Sequence, residues 1–203
     1  TACGQDLNAM EDYLREQLVS MGPAAAKNFH DILQTYEDLA DQYGLWDAVS
    51  VIKEYGCSDD GFIDFRAWLI AQGKEVYMNA LRDPDTLADI EPYGDCCFEC
   101  LSYVGDYAYE QLTGRSAYDE MEPDRIEKMR DELKKDIVYK DGIQYPREPK
   151  DLPRFLPRLC EKYGGPERFQ VAPSTWNFDL HEIRWLLNEG KARDQAVQRK
   201  EGS

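Results

Sequence analysis

The chain has 203 residues, 42% of them apolar, and a formal net charge of −16. That apolar share can build a packed core without disulfides or metal, and it excludes a disordered chain. No window approaches the roughly 18 consecutive apolar residues of a membrane span, and a field this negative disfavours binding to phosphate backbones or anionic lipid.

Taken in order, the sequence reads as helices punctuated by Gly and Pro. Leu7, Met10, Leu14 and Leu18 repeat at helical period, which predicts a helix over Leu7–Met21 that stops at Gly22-Pro23. A second helix is expected over Ala24–Tyr43, with Phe29, Ile32, Leu33, Tyr36, Leu39 and Ala40 on one stripe and Gly44 as its breaker. Leu45–Tyr55 reads as a short helix with Trp46, Val49 and Ile52 inward, closed by Gly56. Ser58 is a natural N-cap for a helix to about Gln72, and Asp59 and Asp60 suit the positive end of its dipole. The pattern resumes through Val76, Tyr77, Ala80 and Leu81 until Asp83-Pro84, where Asp83 is placed to cap a short turn over Asp85–Ala88.

A further helix is expected over Cys96–Leu112, ended by Gly114, and another from Pro123 to about Ile137 with a mostly solvated charged face. Residues 138–145 hold a Lys140-Asp141-Gly142 turn and are the one candidate for a β-hairpin. Asp151–Tyr163, with Pro153 and Pro157 inside, predicts an irregular helix. Phe178–Gly190 predicts a last amphipathic one, followed by a polar tail over 191–203. The expected fold is therefore all-α: one helical domain over residues 1–190, with at most that hairpin.

The charge is uneven. Residues 1–122 carry seven Lys/Arg against 25 Asp/Glu, or −18, and residues 123–203 carry 17 against 15, or +2. An acidic half of this kind suits a cationic protein partner steered by the field, and it equally serves solubility. Thr1–Leu14 lacks the basic-then-apolar layout of a secretory leader, so a cytoplasmic location is expected. The six cysteines, Cys3, Cys57, Cys96, Cys97, Cys100 and Cys160, form no regular framework and read as reduced thiols.

Four groups of residues invite a chemical reading. Arg66 falls near the middle of the apolar arc of Phe62, Ile63, Phe65, Leu69 and Ile70. A guanidinium there needs a carboxylate from another helix or an anionic ligand. If that pair were buried, Arg66→Ala would cost on the order of 3–5 kcal/mol. Asp59 and Asp60 are an acid pair, but they point about 100° apart on a helix and lack the alternating oxygens of a calcium loop. Cys97 and Cys100 form a single CxxC, short of the four ligands of zinc, and on a helix Cys97 continues the stripe of Leu101, Val104, Ala108 and Leu112. His30 and His181 are isolated, and Trp46, Trp68, Trp176 and Trp185 sit at helical spacing, as core residues do. No nucleophile elbow, phosphate loop or dinucleotide fingerprint is present, and no metal or cofactor is expected.

The run SDDGFIDFRAWLIAQGKEVYMNALRDPDTLA, from Ser58 to Ala88, with Leu45-Trp46 and Gly56-Cys57 upstream, resembles the signature of the domain of unknown function 4240 family, a group of bacterial proteins. Phe98, Tyr109 and the segment DLPRFLPRLCEKYG fit more loosely, so the resemblance covers roughly Phe29–Gly165. It implies a mainly helical, cytoplasmic protein and transfers no catalytic residue. The function expected is a non-enzymatic binding protein whose acidic surface docks a cationic protein partner; an immunity- or antitoxin-like role is one case. The alternative is an enzyme or small-molecule binder with an anion-binding pocket around Asp59, Asp60, Arg66 and Gln72, to which Ser58 and Trp68 would also belong. The sequence leaves the oligomeric state open.

Overall fold

The computed structural model of the chain describes residues 6–53 and 56–164. Among them the protein is all-α, with no strand. The elements are α1 (Leu7–Met21), α2 (Pro23–Leu39), α3 (Tyr43–Ile52), α4 (Asp59–Ala71), α5 (Lys74–Arg82), α6 (Glu99–Thr113), α7 (Pro123–Lys134), α8 (Leu152–Phe155) and α9 (Pro157–Tyr163). A 3₁₀ turn over Pro84–Asp89 follows α5. The expected helix at Phe178–Gly190, the tail, Trp176, Trp185 and His181 lie outside the described residues.

Local chemistry sets the ends. The Asp6 carboxylate accepts the Ala9 N–H at 3.1 Å and caps α1. The Ser58 hydroxyl accepts the Gly61 N–H at 3.1 Å and caps α4, with Asp59 and Asp60 in the first turn. Asp83 accepts the Asp85 N–H at 3.2 Å, as its place before Pro84 suggests. Gly114, at φ 71°, ends α6 in the left-handed conformation that glycine adopts without a Cβ clash.

The helices form two groups joined by α4. In the first, α6 lies on α1 and α2, and α7 packs along a neighbouring flank of α2. In the second, α9 lies on the 84–89 turn and on α3, with α5 and α8 beside them. Because α2 is wrapped from several sides, it buries His30, Asp31, Thr35 and Glu37 as well as Ala26, Leu33 and Leu39. Phe29, Ile32 and Tyr36, expected at the centre of its apolar stripe, are only half-buried. From α3 through α4 runs a ladder of rings, Trp46, Phe62, Phe65, Trp68 and Tyr93, with successive centroids 4.8, 6.2, 5.8 and 5.7 Å apart.

Three expectations are corrected. Residues 138–145 form turns and no hairpin: their own bonds are the short ones from Ile143 N–H to Lys140 and from Tyr145 N–H to Gly142, while the Lys140 N–H donates to the Leu81 carbonyl at 2.9 Å and the Ile143 carbonyl accepts from Gly44 at 2.7 Å, at helix termini. Gly44 does not break a helix. It lies inside α3, where an added Cβ would stand 2.7 Å from Ile143 Cγ1 and 3.0 Å from Phe155 Cε1. Finally, α6 begins at Glu99, not at Cys96, because Asp95 and Cys96 take φ of 52° and 55°, in the left-handed region.

The segment after residue 122 is a basic strap on an acidic body. Arg125 pairs with Asp31, Arg130 with Asp38, Lys140 with Asp83, Arg147 with Asp47, Arg158 with Asp89 and Lys162 with Glu91. Both Arg147 and Lys140 also lie over the Phe155 ring, at 3.2 and 4.6 Å from its centroid. The charge split seen in the sequence is thus partly used inside the fold.

Candidate functional site

The residues singled out in the sequence are spread along α4. Ser58, Asp59 and Asp60 crown its N-terminus, and the two acids are exposed. Gln72 closes the other end, about 20 Å away at 1.5 Å per residue. There its amide donates to the Trp68 carbonyl at 2.8 Å and to the Tyr93 hydroxyl at 3.0 Å. Trp68 is a core residue in the aromatic ladder. Arg66 lies between these ends, with its side chain 12% exposed. Its Nη1 donates to the Glu37 carbonyl at 3.2 Å and stands 3.6 Å from Asp41, and the guanidinium lies 5.1 Å from the Phe62 ring centroid. Asp41 is 63% exposed, and Ile63, expected on the apolar arc, is exposed too. The structure does not bring the four pocket residues to one cavity.

Behind Arg66 sits a buried carboxylate that the sequence reading missed. Glu37 accepts from the Ser102 hydroxyl at 2.6 Å and from the Gln34 amide at 3.1 Å. Burial pushes its carboxyl above the usual range, against the Ser102 hydrogen bond and the Arg66 charge. These contacts tie α2 to α6 and serve the fold.

A different surface gathers polar and aromatic chemistry. On the outer side of α6, Tyr103 and Tyr107 are 37% and 45% exposed, with rings stacked at 6.0 Å. They lie opposite the buried stripe of Leu101, Val104 and Ala108. Tyr118, also exposed, reaches the Ser102 carbonyl and lies near both rings. Its hydroxyl is pushed up to about 12, first by burial and then by Glu37. At the α4 side of this face stand Asp60, Asp64 and Glu99. Burial, and then the Glu99 charge, raises the Asp64 carboxyl. Asp60, Glu99 and Glu110 make no ion pair among the described residues, unlike the acids under the strap. The i, i+4 spacing of the two tyrosines was a usable signal; the approach of Asp64 to Glu99 across two helices was not.

Among the cavities elsewhere are two with contrasting linings. One, of about 310 Å³, is an apolar groove between α1, α2, α4 and α6, lined by Leu14, Phe29, Ile32, Tyr36 and Ile70 among others. The other, of about 490 Å³, is lined by Arg147, Arg154, Phe155 and neighbouring residues of the strap. Among the described residues, no group of three or more His, Cys, Asp or Glu is arranged to hold a metal ion. No helix there is long and apolar enough to cross a membrane.

Fold and surface together define an all-helical acidic protein with an exposed patch of tyrosines. The chain belongs to the DUF4240 family, described as proteins of unknown function, whose model matches residues 1–111. That match starts earlier and stops earlier than the resemblance read from the signature residues. No curated protein and no solved structure matches the chain.

Proposed function

We propose that the protein is a non-enzymatic binding protein that docks a cationic protein partner on the face of Tyr103, Tyr107 and Tyr118, bordered by Asp60, Asp64 and Glu99. The observation that carries this reading is the stacked, exposed pair Tyr103–Tyr107 beside carboxylates that make no ion pair among the described residues. Tyrosines offer large contact area at low entropic cost, and tyrosine and arginine are both enriched among the residues that carry interface binding energy. A guanidinium or ammonium over an exposed ring gains about 0.5–1 kcal/mol, and the carboxylates steer the approach. The working location is the reducing cytoplasm of a bacterial cell, where an immunity- or antitoxin-like role is one case.

The test is a pulldown from the native host followed by association kinetics at low and high salt. Tyr107→Ala should speed dissociation. Asp64→Asn with Glu99→Gln should slow association, most of all at low salt. An association rate indifferent to salt, or a partner that is itself acidic, would reduce the charge to a solubility feature.

A further inference from the structure

Three thiols and one lysine meet where α3 ends, α4 begins and the chain turns into α6. Lys53, the C-cap of α3, donates from Nζ to Cys97 Sγ at 3.2 Å. Cys57 sits over the same first turn of α4: a Cβ added to Gly61 would lie 3.4 Å from Cys57 Sγ and 3.6 Å from Lys53 Nζ. The left-handed residues Asp95 and Cys96 redirect the chain just before Cys97. Cys96 is buried, whereas Cys97 is half-buried and so partly open to solvent.

The other thiols are in less favourable surroundings. Burial pushes Cys96 up to about 11 and raises Cys57, in both cases against the Lys53 charge. Cys100, in the first turn of α6, is more exposed than Cys97 but is raised by burial, by a hydrogen bond to Glu11 and by the charges of Glu11 and Glu99. Burial pulls the Lys53 ammonium down, and the Cys97 sulfur with its neighbours raises it by more, so Lys53 remains a cation. The Lys53 ammonium donates directly to the Cys97 sulfur, and so stands where it can give a proton to a group that leaves as that sulfur reacts.

We propose that Cys97 is a modification site for hydroperoxides, with Lys53 as its positioning residue. The Cys97 thiolate attacks the hydroxyl oxygen of the hydroperoxide. An S–O bond forms as the O–O bond breaks, the sulfur gives up two electrons to become a sulfenic acid, and the peroxide is reduced. Lys53 gives its proton to the departing oxygen, which leaves as water or an alcohol, and then regains a proton from solvent.

The cysteines supply the control. If exposure alone governed reactivity, Cys100 would react before Cys97. The full-length chain is treated with limiting hydrogen peroxide and a 1,3-diketone trap, and labelling is read peptide by peptide by mass spectrometry. Cys97 is expected to label about tenfold faster than Cys100, as the Lys53 proton donor beside its sulfur outweighs exposure. Lys53→Met should remove most of that advantage, Lys53→Arg should restore much of it, and Cys100 should be unaffected in both. Circular dichroism and melting curves check that the variants fold. Cys100 labelling as fast as Cys97 in the unaltered chain would overturn the proposal, whether or not Lys53→Met folds. So would an unchanged Cys97 rate in a folded Lys53→Met.

Discussion

Arg125, on α7, donates to Asp31 Oδ2 at 2.7 Å, and solvent does not reach the Asp31 side chain. Lys27 holds the same carboxylate at 2.8 Å from one turn earlier on α2. Two cations thus share one buried anion, and the arrangement is asymmetric, because Lys27 and Arg125 keep some contact with water while Asp31 keeps none. Removing either cation alone should cost about 1–2 kcal/mol, toward the low end for a charge-assisted hydrogen bond because the other cation still holds the carboxylate. Removing both, as Lys27→Ala with Arg125→Ala, strands the carboxylate and should cost about 3–5 kcal/mol. Urea denaturation of the two single variants and the double variant checks this. Strictly additive losses would show that Asp31 has another source of compensation.

His30 makes stability depend on pH. It is fully buried, neither ring nitrogen has a hydrogen-bond partner, and the Tyr118 ring stands edge-on at 4.3 Å. Burial lowers its pKa below 6.5, with Lys27 adding to the effect and Asp31 and Asp106 opposing it. Between its folded value and 6.5 the unfolded chain binds the extra proton, so His30 makes stability fall as pH drops from 6.5, by at most about 1.4 kcal/mol per unit. Asp47 works in the opposite direction. Burial raises its carboxyl to about 6 in spite of Arg147, so the folded state holds that proton more tightly and stability falls as pH rises from 3.8 to about 6. Denaturation between pH 5 and 7.5 should therefore give a steeper loss on acidification for Asp47→Asn than for the parent. His30→Leu should flatten it. Parallel curves for His30→Leu and the parent would show that His30 does not titrate in this range.

Gly105 and Gly44 mark close approaches of different stiffness. A Cβ at Gly105 would lie 2.9 Å from His30 Cβ and 3.0 Å from the His30 backbone, which cannot move without separating α2 from α6. At Gly44 the obstacles are the side chains of Ile143 and Phe155, which can shift. Both alanine substitutions overpack the core, at about 1–3 kcal/mol, and Gly105→Ala should be the more costly. Paired thermal melts give the order; the reverse order would place the rigid contact at the strap.

The contacts of Arg66 lower the cost expected from sequence. Its charged partner Asp41 is largely solvated, so Arg66→Ala leaves no stranded anion at that position. The loss should be about 1–2 kcal/mol, from one hydrogen bond and the packing over Phe62. A loss of 3 kcal/mol or more in equilibrium unfolding would mean that Glu37 depends on the Arg66 charge.

Helix periodicity and caps were legible. The bounds of α1 follow from its apolar repeat and Gly22, the start of α4 from Ser58, and the broken helix at 149–163 from its prolines. What the sequence could not display was long-range contact. Gly44 reads as punctuation because Ile143 and Phe155 are about a hundred residues away. Asp31, Thr35 and Glu37 read as the polar side of α2 because their partners in α6 and α7 come 65 to 94 residues later. Arg66 looked central because a helical projection gives direction but not what lies opposite. The same limit applies to the candidate surface: Tyr103 and Tyr107 are visible as an outward pair, whereas their acidic border depends on how α4 meets α6.

The six ion pairs under the strap bear on where the chain can be cut. The family match ends at residue 111, two residues before the end of α6. Asp85, within the signature run, accepts the Arg158 and Leu159 N–H groups at 3.1 and 2.9 Å and so caps α9, far beyond that boundary. Asp106 likewise accepts the Ala117 N–H at 2.6 Å. A fragment trimmed to the match would leave these buried carboxylates and Asp47 without those donors, and would leave Asp31 with Lys27 alone. The segment shared with relatives is therefore smaller than the cooperative folding unit, and expression trials belong on chains that run at least through Tyr163.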